Sequence, residues 1–265
     1  MAETETGGGG DLAPAVEETA TAIAEMEIRG AAAIADAAAA ALGAQAEESN
    51  AEDAAAFRAE LRAAGRRLLE TRPTAVSLPN ALRWILSDLE VEHGDVPDLR
   101  NAVQRGVAAF RRDLDRAQDR LGRVGSNRLR DGDVVMTHCH STDALACVEA
   151  ALDDGKTLSA VVTETRPRNQ GRITARKLRE WDVPVTLIVD GAARRYLNDV
   201  DHVLVGADSI AADGAVVNKI GTSGLAVNAR DRGTPVMVAA QTIKLDPATL
   251  AGHVVEIEER DAAEV

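Results

Sequence analysis

Aromatic residues make up 2% of the 265 positions, lysine occurs four times and cysteine twice. No uninterrupted apolar run approaches the ~18 residues that a membrane-spanning helix needs. Each shortage excludes something. Two cysteines, Cys139 and Cys147, are too few for a disulfide framework and are not spaced as CxxC, so a reducing interior suits them. The first residues, MAETETGGGG, carry no apolar signal core. Together these features predict a soluble cytoplasmic protein without a membrane partner. Positive charge is also scarce. With 43 acids against 30 bases the net charge is −13, which argues against general attraction to nucleic acid or an anionic membrane. Any phosphate must be held by a few local cations. With so few aromatics, the core must be built from Ala, Val, Leu and Ile, and the 45% apolar fraction suffices. An acidic, alanine-rich chain that prefers arginine to lysine has the composition of a salt-loving organism's cytoplasm.

What is present falls into two textures. Residues 1–11 read as a disordered acidic, glycine-rich tail. From Leu12 to about Arg128 the pattern is helical: Ala31–Glu48, Ala51–Leu69, Ala81–Glu90 and Leu99–Leu121, punctuated by Pro73 and Pro79. No internal repeat is visible. Near Asp131 the texture changes. Short apolar runs at Val134–Met136, Leu158–Val162, Val183–Val189, His202–Val205 and Val236–Ala239 alternate with helical patterns at Asp143–Leu152, Thr174–Trp181 and Ser223–Asp231. Asp213-Gly214, between Ile210-Ala211 and Val216-Val217, signals a hairpin turn. The reading is an α/β protein: a helical domain over residues 12–128, then a Rossmann-like, mostly parallel sheet domain over 129–265. In such sheets ligands sit beyond the carboxyl ends of the strands.

Four features fall at such ends or at helix starts. Met136-Thr137-His138-Cys139-His140-Ser141 joins a strand to a helix that Ser141 or Thr142 can cap, and the helix amino end would favour a thiolate at Cys139. The alternative is a buried, inert thiol, which is the reading for Cys147. A metal at His138-Cys139-His140 is disfavoured, because an extended segment points the histidines one way and the cysteine the other. Asp208, after Val203-Leu204-Val205-Gly206-Ala207, is either a turn cap or a carboxyl shielded enough to keep a proton for donation. Asn218-Lys219-Ile220-Gly221-Thr222-Ser223-Gly224 lacks the Walker spacing, but a lysine before a Gly-Thr-Ser-Gly helix start is a plausible phosphate cradle. Lys219 and Lys244 both follow predicted strands in a chain that otherwise favours arginine. In the helical half, Ile28-Arg29-Gly30-Ala31-Ala32 and the break around Arg72 each place an arginine beside a helix start. These are either solvated side chains or anion clamps reaching over to the other domain.

These segments together resemble the family that unites translation initiation factor 2B regulatory subunits, methylthioribose-1-phosphate isomerases and archaeal ribose-1,5-bisphosphate isomerases. The likeness runs from about Val16 to Val265. IRGA, ETRPTAVSLPNALR, DGDVVMTHCHS, VTETRP followed by QG, GADSI, GAVVNKIGT and the closing EIEERDAAEV are most similar to the ribose-1,5-bisphosphate isomerase branch. The resemblance implies isomerisation of ribose 1,5-bisphosphate to ribulose 1,5-bisphosphate in nucleotide salvage, that is, in AMP metabolism. By motif, it makes Cys139 the proton acceptor and Asp208 the proton donor. It makes Arg29, Gly30, Ala31, Ala32, Arg72, Ser141, Asn218, Lys219 and Lys244 substrate-binding positions, with no metal and no cofactor.

The residue types suit that chemistry. A sugar phosphorylated on its anomeric oxygen must open its ring with the phosphate attached, which calls for a neutral acid at the ring oxygen and a base at the second carbon. Two phosphates call for two cationic pockets. The resemblance also implies assembly into a homo-oligomer, a dimer through the sheet domains or a hexamer. The related proteins continue past the position of Val265 with an NPAFDVTP-like segment near the active site. They carry a basic residue after THCHS where this chain has Thr142 and Asp143, so one phosphate contact is expected to be weaker or replaced. Two other readings stand beside the first: a non-catalytic regulatory partner of translation initiation factor 2, and a methylthioribose-1-phosphate isomerase. The first of these is disfavoured because the Cys and Asp pair is kept.

Overall fold

The first half of the chain folds as helices, and the reasons are local. In the computed structural model, which describes residues 12–72, 74–257 and 262–264, α1 (Pro14–Ala24) opens on a proline, whose missing N–H has no partner at a helix start in any case. The expected tail over residues 1–11, the proline of the Pro73 break, and positions 258–261 and 265 of the closing motif lie outside the described residues. Helix α2 (Ala31–Glu48) buries Ile34, Ala35, Ala38, Ala39, Leu42 and Ala46 along one stripe. Helix α3 (Ala54–Leu69) is capped by Asp53, whose carboxylate accepts the Ala56 N–H at 2.8 Å. Helix α4 (Ser77–Val91) starts four residues before the predicted Ala81, because Pro79 sits in its first turn, where proline is tolerated, and does not break it. Helix α5 (Val96–Ser126) supplies the C-terminal cap of α2. Arg100 donates to the carbonyls of Ala46 (2.8 Å) and Ser49 (2.9 Å), and Gln104 donates to that of Gly43 (2.8 Å).

The chain divides into two compact units, residues 1–114 and 115–265, with the division inside α5. The end of that helix belongs to the second unit for a steric reason: a Cβ on Gly122 would meet the Ala146 carbonyl oxygen at 2.8 Å, and one on Gly125 the Cys147 sulfur at 2.2 Å. Only glycines let these backbones approach so closely.

The second unit is an α/β sheet domain. Strands β1 (Val134–Thr137), β2 (Ser159–Thr163), β3 (Val185–Ile188) and β4 (His202–Val205) are followed by a short antiparallel pair, β5 (Ser209–Ile210) and β6 (Val216–Val217), and then by β7 (Val236–Val238). The main sheet has order β3-β2-β1-β4-β7, all parallel, with Val135 opposite Ala160 on one side and His202 on the other. Helices α6 (Thr142–Asp153), α7 (Gln170–Glu180), α8 (Ala193–Tyr196) and α9 (Thr222–Arg232) make the crossovers. Alternate strand residues feed opposite faces. Val135, Val162 and Leu204 pack with Leu145, Val148 and Leu178 on one side, and Met136, Val203 and Val205 pack with Leu197 and Leu225 on the other. The hairpin forms as the Asp-Gly signal predicts, with Ile210 opposite Val216 and Gly214 at φ 85°.

Strand order reverses between β1 and β4, and such a switch point opens a crevice beyond the carboxyl ends of both strands. Residues 138–141 and 206–208 lie there. Among the described residues no helix is long and apolar enough to cross a membrane.

Candidate functional site

Cys139 is the second residue after β1 and adopts a left-handed backbone conformation, with φ at 71°. Both sides of its backbone are held by threonine hydroxyls. The Cys139 N–H donates to Thr165 Oγ1 at 2.8 Å, and Thr174 Oγ1 donates to the Cys139 carbonyl at 2.8 Å. Two residues on, Ser141 caps α6 by accepting the Ala144 N–H at 3.2 Å. Gly206, at the end of β4, closes on that cap so tightly that a Cβ there would lie 2.2 Å from Ser141 Oγ. The β1 and β4 ends are thus in contact, and Asp208 stands two residues beyond Gly206.

Asp208 donates its N–H to the Val217 carbonyl at 2.8 Å, which sets it beside the strand that leads into Asn218 and Lys219. The residue is exposed, so of the two alternatives read from the sequence the shielded carboxyl is not the one seen in the free protein. Asn218 donates to Thr222 Oγ1 at 3.1 Å, and the Thr222 hydroxyl donates to the Lys219 carbonyl at 2.7 Å, so the turn before α9 is tied from within. Gly221 enters that helix at φ 99°, and a Cβ there would meet the His138 ring at 2.9 Å. Glycine is required on both counts. Cys139, Ser141, Asp208, Asn218 and Lys219 therefore meet within one unit, in the crevice that the sheet topology indicates.

Electrostatics correct one expectation. Burial pushes the Cys139 thiol above its ordinary range; the His140 backbone N–H and the Lys219 charge pull it down, and the Asp208 charge pushes it up again. Burial wins, so Cys139 is a neutral thiol in the free protein, not the thiolate that the nearby helix start was expected to favour. The same balance places the sulfur within electrostatic reach of both Lys219 and Asp208. Burial also lowers the affinity of His138 and His140 for a second proton. Both ring nitrogens of His138 are engaged, Nδ1 with Thr163 Oγ1 at 2.6 Å and Nε2 with the Ile220 carbonyl at 2.7 Å, which leaves no lone pair for a metal. Among the described residues no group of three or more His, Cys, Asp or Glu side chains is placed to hold an ion.

Lys244 is only 6% exposed, and its ammonium lies 2.6 Å from a carboxylate oxygen of Asp143, itself 1% exposed. Gln241 completes the arrangement, donating its side-chain amide to the other oxygen at 3.0 Å and its backbone N–H to the first at 3.3 Å. Asp143 thus has a structural role that sequence reasoning missed. It ties the turn after β7 to the first turn of α6, while Thr142 faces solvent.

The remaining predicted positions lie in the other unit. Arg29 is exposed and its Nε donates to the Met26 carbonyl; Gly30, at φ 88°, precedes α2, whose first residues are Ala31 and Ala32; half-buried Arg72 stands in the break before α4. Each arginine flanks a helix start, as read from the sequence.

Comparison with known proteins adds an independent line. The sequence profile of the initiation factor 2 subunit family matches residues 27–265. The chain is 68% identical over 257 residues to the ribose 1,5-bisphosphate isomerase of Haloterrigena turkmenica, covering 97% of this chain and 78% of that one. It is 69% identical over 252 residues to the ribose 1,5-bisphosphate isomerase of Haloferax volcanii, covering 95% and 77%. Among solved structures, 5-methylthioribose 1-phosphate isomerase from Pyrococcus horikoshii OT3 superposes with a TM-score of 0.81 at 32% identity, covering 94% of this chain and 73% of that one.

Proposed function

The chain belongs to the initiation factor 2 subunit family and is an isomerase, and from that premise we propose that it converts ribose 1,5-bisphosphate to ribulose 1,5-bisphosphate in nucleotide salvage. The observation that carries the reading is the meeting of Cys139, Asp208 and Lys219 at the β1/β4 switch point. On binding of the sugar the Cys139 thiol passes its proton to the Asp208 carboxylate, and Asp208 donates it to the ring oxygen as the bond from that oxygen to the anomeric carbon breaks. Cys139, as thiolate, takes the hydrogen from the second carbon, and its electron pair forms the double bond of an enol phosphate. The thiol then returns its proton to the first carbon, while the hydroxyl on the second carbon gives its proton to Asp208 and becomes the ketone. The bound sugar itself supplies the shielding from water that exposed Asp208 lacks in the free protein.

Lys219 and the N–H groups at the start of α9 hold one phosphate, with Asn218 and Ser141 beside it. Arg29, Gly30, Ala31, Ala32 and Arg72 are proposed as substrate-binding on their motifs alone, and residues 12–128 and 129–265 as helical and catalytic domains. The chemistry moves only protons, so no cofactor enters this scheme. Exposed Ile220, Val227 and Leu250 support a homo-oligomer, and the acidic, lysine-poor composition supports work in a salt-rich cytoplasm.

One observation favours a second reading. Lys244 is neutralised by Asp143, and the position after Ser141 is Thr142, so fewer unpaired cations face a second phosphate. A sugar with one phosphate, such as methylthioribose 1-phosphate, needs fewer. Parallel measurement of kcat/KM on both compounds in molar potassium chloride decides the matter. The bisphosphate is expected to be preferred by about 100-fold, the scale of one charge-assisted hydrogen bond to a phosphate. Equal values, or a preference for the methylthio sugar, would transfer the assignment to the second reading.

A further inference from the structure

Behind Cys139 lies a buried set of hydroxyls and one imidazole that the reaction as written does not use. Thr165 is fully buried, and its φ of 63° is strained for a β-branched side chain. What holds it there is Asp190, whose two carboxylate oxygens accept the N–H groups of Thr165 and Arg166, each at 2.7 Å. Cys139, also left-handed, rests its N–H on Thr165 Oγ1.

The hydrogens in this set can be assigned by elimination. The Ile220 carbonyl only accepts, so His138 Nε2 carries the proton of that 2.7 Å bond and Nδ1 is bare. Nδ1 therefore accepts the Thr163 hydroxyl proton at 2.6 Å. Thr165 Oγ1, which accepts the Cys139 N–H, has three acceptors within reach of its own proton: Thr163 Oγ1 at 3.3 Å, the Thr163 carbonyl at 3.3 Å and His138 Nδ1 at 3.4 Å. The Cys139 N–H, Thr165, Thr163 and His138 thus form one contiguous buried set that ends at the carbonyl next to Lys219. Bonds joined in such a set polarise one another and hold their geometry as a unit.

We propose that Thr165, braced by Asp190, is a positioning residue that fixes the Cys139 turn and, through Thr163 and His138, sets the distance between the thiol and the Lys219 loop. The proposal deepens the reading of Cys139 as proton acceptor and rests on it. Thr165 touches neither sugar nor thiol proton; it acts through the peptide group of Cys139.

The test uses the full chain with Thr165→Val, which keeps the shape and removes the acceptor, and Thr165→Ser, which keeps it. For Thr165→Val, kcat on ribose 1,5-bisphosphate is expected to fall about 10- to 100-fold with KM within about twofold, the cost of a misplaced reacting group. Thr165→Ser is expected to stay within about threefold of the parent. Alkylation of Cys139 by iodoacetamide, located by peptide mass spectrometry, gives a readout independent of turnover. Relaxing the turn relieves burial, so its pH midpoint moves down in Thr165→Val and stays put in Thr165→Ser. If Thr165→Val melts earlier yet keeps both kcat and the alkylation midpoint, the residue is merely structural and the proposal falls. If Thr165→Val fails to fold, Asp190→Asn takes its place and must lower the same midpoint, or the proposal is equally overturned. A parent protein inactive on ribose 1,5-bisphosphate would sink the isomerase reading alone, while the alkylation midpoints still decide whether Thr165 positions the thiol.

Discussion

Replacing Cys139 by serine is expected to lower turnover of ribose 1,5-bisphosphate by about 10³-fold while leaving the fold intact, as loss of the one group that carries a proton between two carbons should. Serine fits the space and can keep the backbone bonds to Thr165 and Thr174, so circular dichroism and the melting transition should match the parent. What serine lacks is a readily formed anion. The control is Cys147→Ser. That thiol is buried in α6 against α5, with its proton affinity pushed up to about 11, and it takes no part in the chemistry. The titration of the free protein follows from its burial. Burial raises the Cys139 thiol above its ordinary value, so the pH midpoint of its alkylation should lie above that of an unburied thiol. A midpoint at or below the unburied value would contradict the burial, and a serine variant with near-parent activity would remove Cys139 from the mechanism.

Replacing Asp143 by alanine is expected to destabilise the protein by about 3–5 kcal/mol, the usual cost of stranding one partner of a buried ion pair. Lys244 would be left with its ammonium enclosed, and Gln241 would lose the acceptor of two hydrogen bonds. The double variant Asp143→Ala with Lys244→Met should recover a substantial part of the loss, because it removes the buried charge along with its partner. Guanidinium chloride unfolding of the three proteins measures this. A single-variant cost below about 1 kcal/mol, typical of an exposed pair, would contradict the geometry.

The strand that sequence locates best is β4, which is buried. His202–Val205 reads with its observed bounds, because a central parallel strand is a plain apolar run. The edge strand β3 reads too long at both ends. Val183 lies before it in the core, and Val189 is exposed at the turn that follows, so apolar character alone misleads there. Helix α7 begins at Gln170, four residues before its reading, because its first residues, Gln170, Gly171 and Arg172, carry no apolar stripe. What seats that start on the end of β2 is Gly171, where a Cβ would fall 1.7 Å from the Thr163 carbonyl oxygen.

In the site, Cys139 and Asp208 are legible because each follows an apolar run at the carboxyl edge of the parallel sheet, and Lys219 because it precedes the Gly-Thr-Ser-Gly start of α9. Asp143 is not. An acid in a helix's first turn reads as a partner for the helix dipole, and its true partner lies 101 positions away. Thr165, Thr174 and Asp190 are invisible as a clamp, because their bonds to the Cys139 turn and to Thr165 exist only once β1, β2 and the end of β3 are side by side.

The account stands on a carboxyl and a thiol acting on one sugar. Its most direct measurement is a phosphorus NMR time course of ribose 1,5-bisphosphate with the parent protein and with Asp208→Asn, at matched concentration in molar salt. The account predicts ribulose 1,5-bisphosphate from the parent and none from Asp208→Asn within the same period. Ketose from Asp208→Asn at the parent rate, or none from a folded parent, would contradict it.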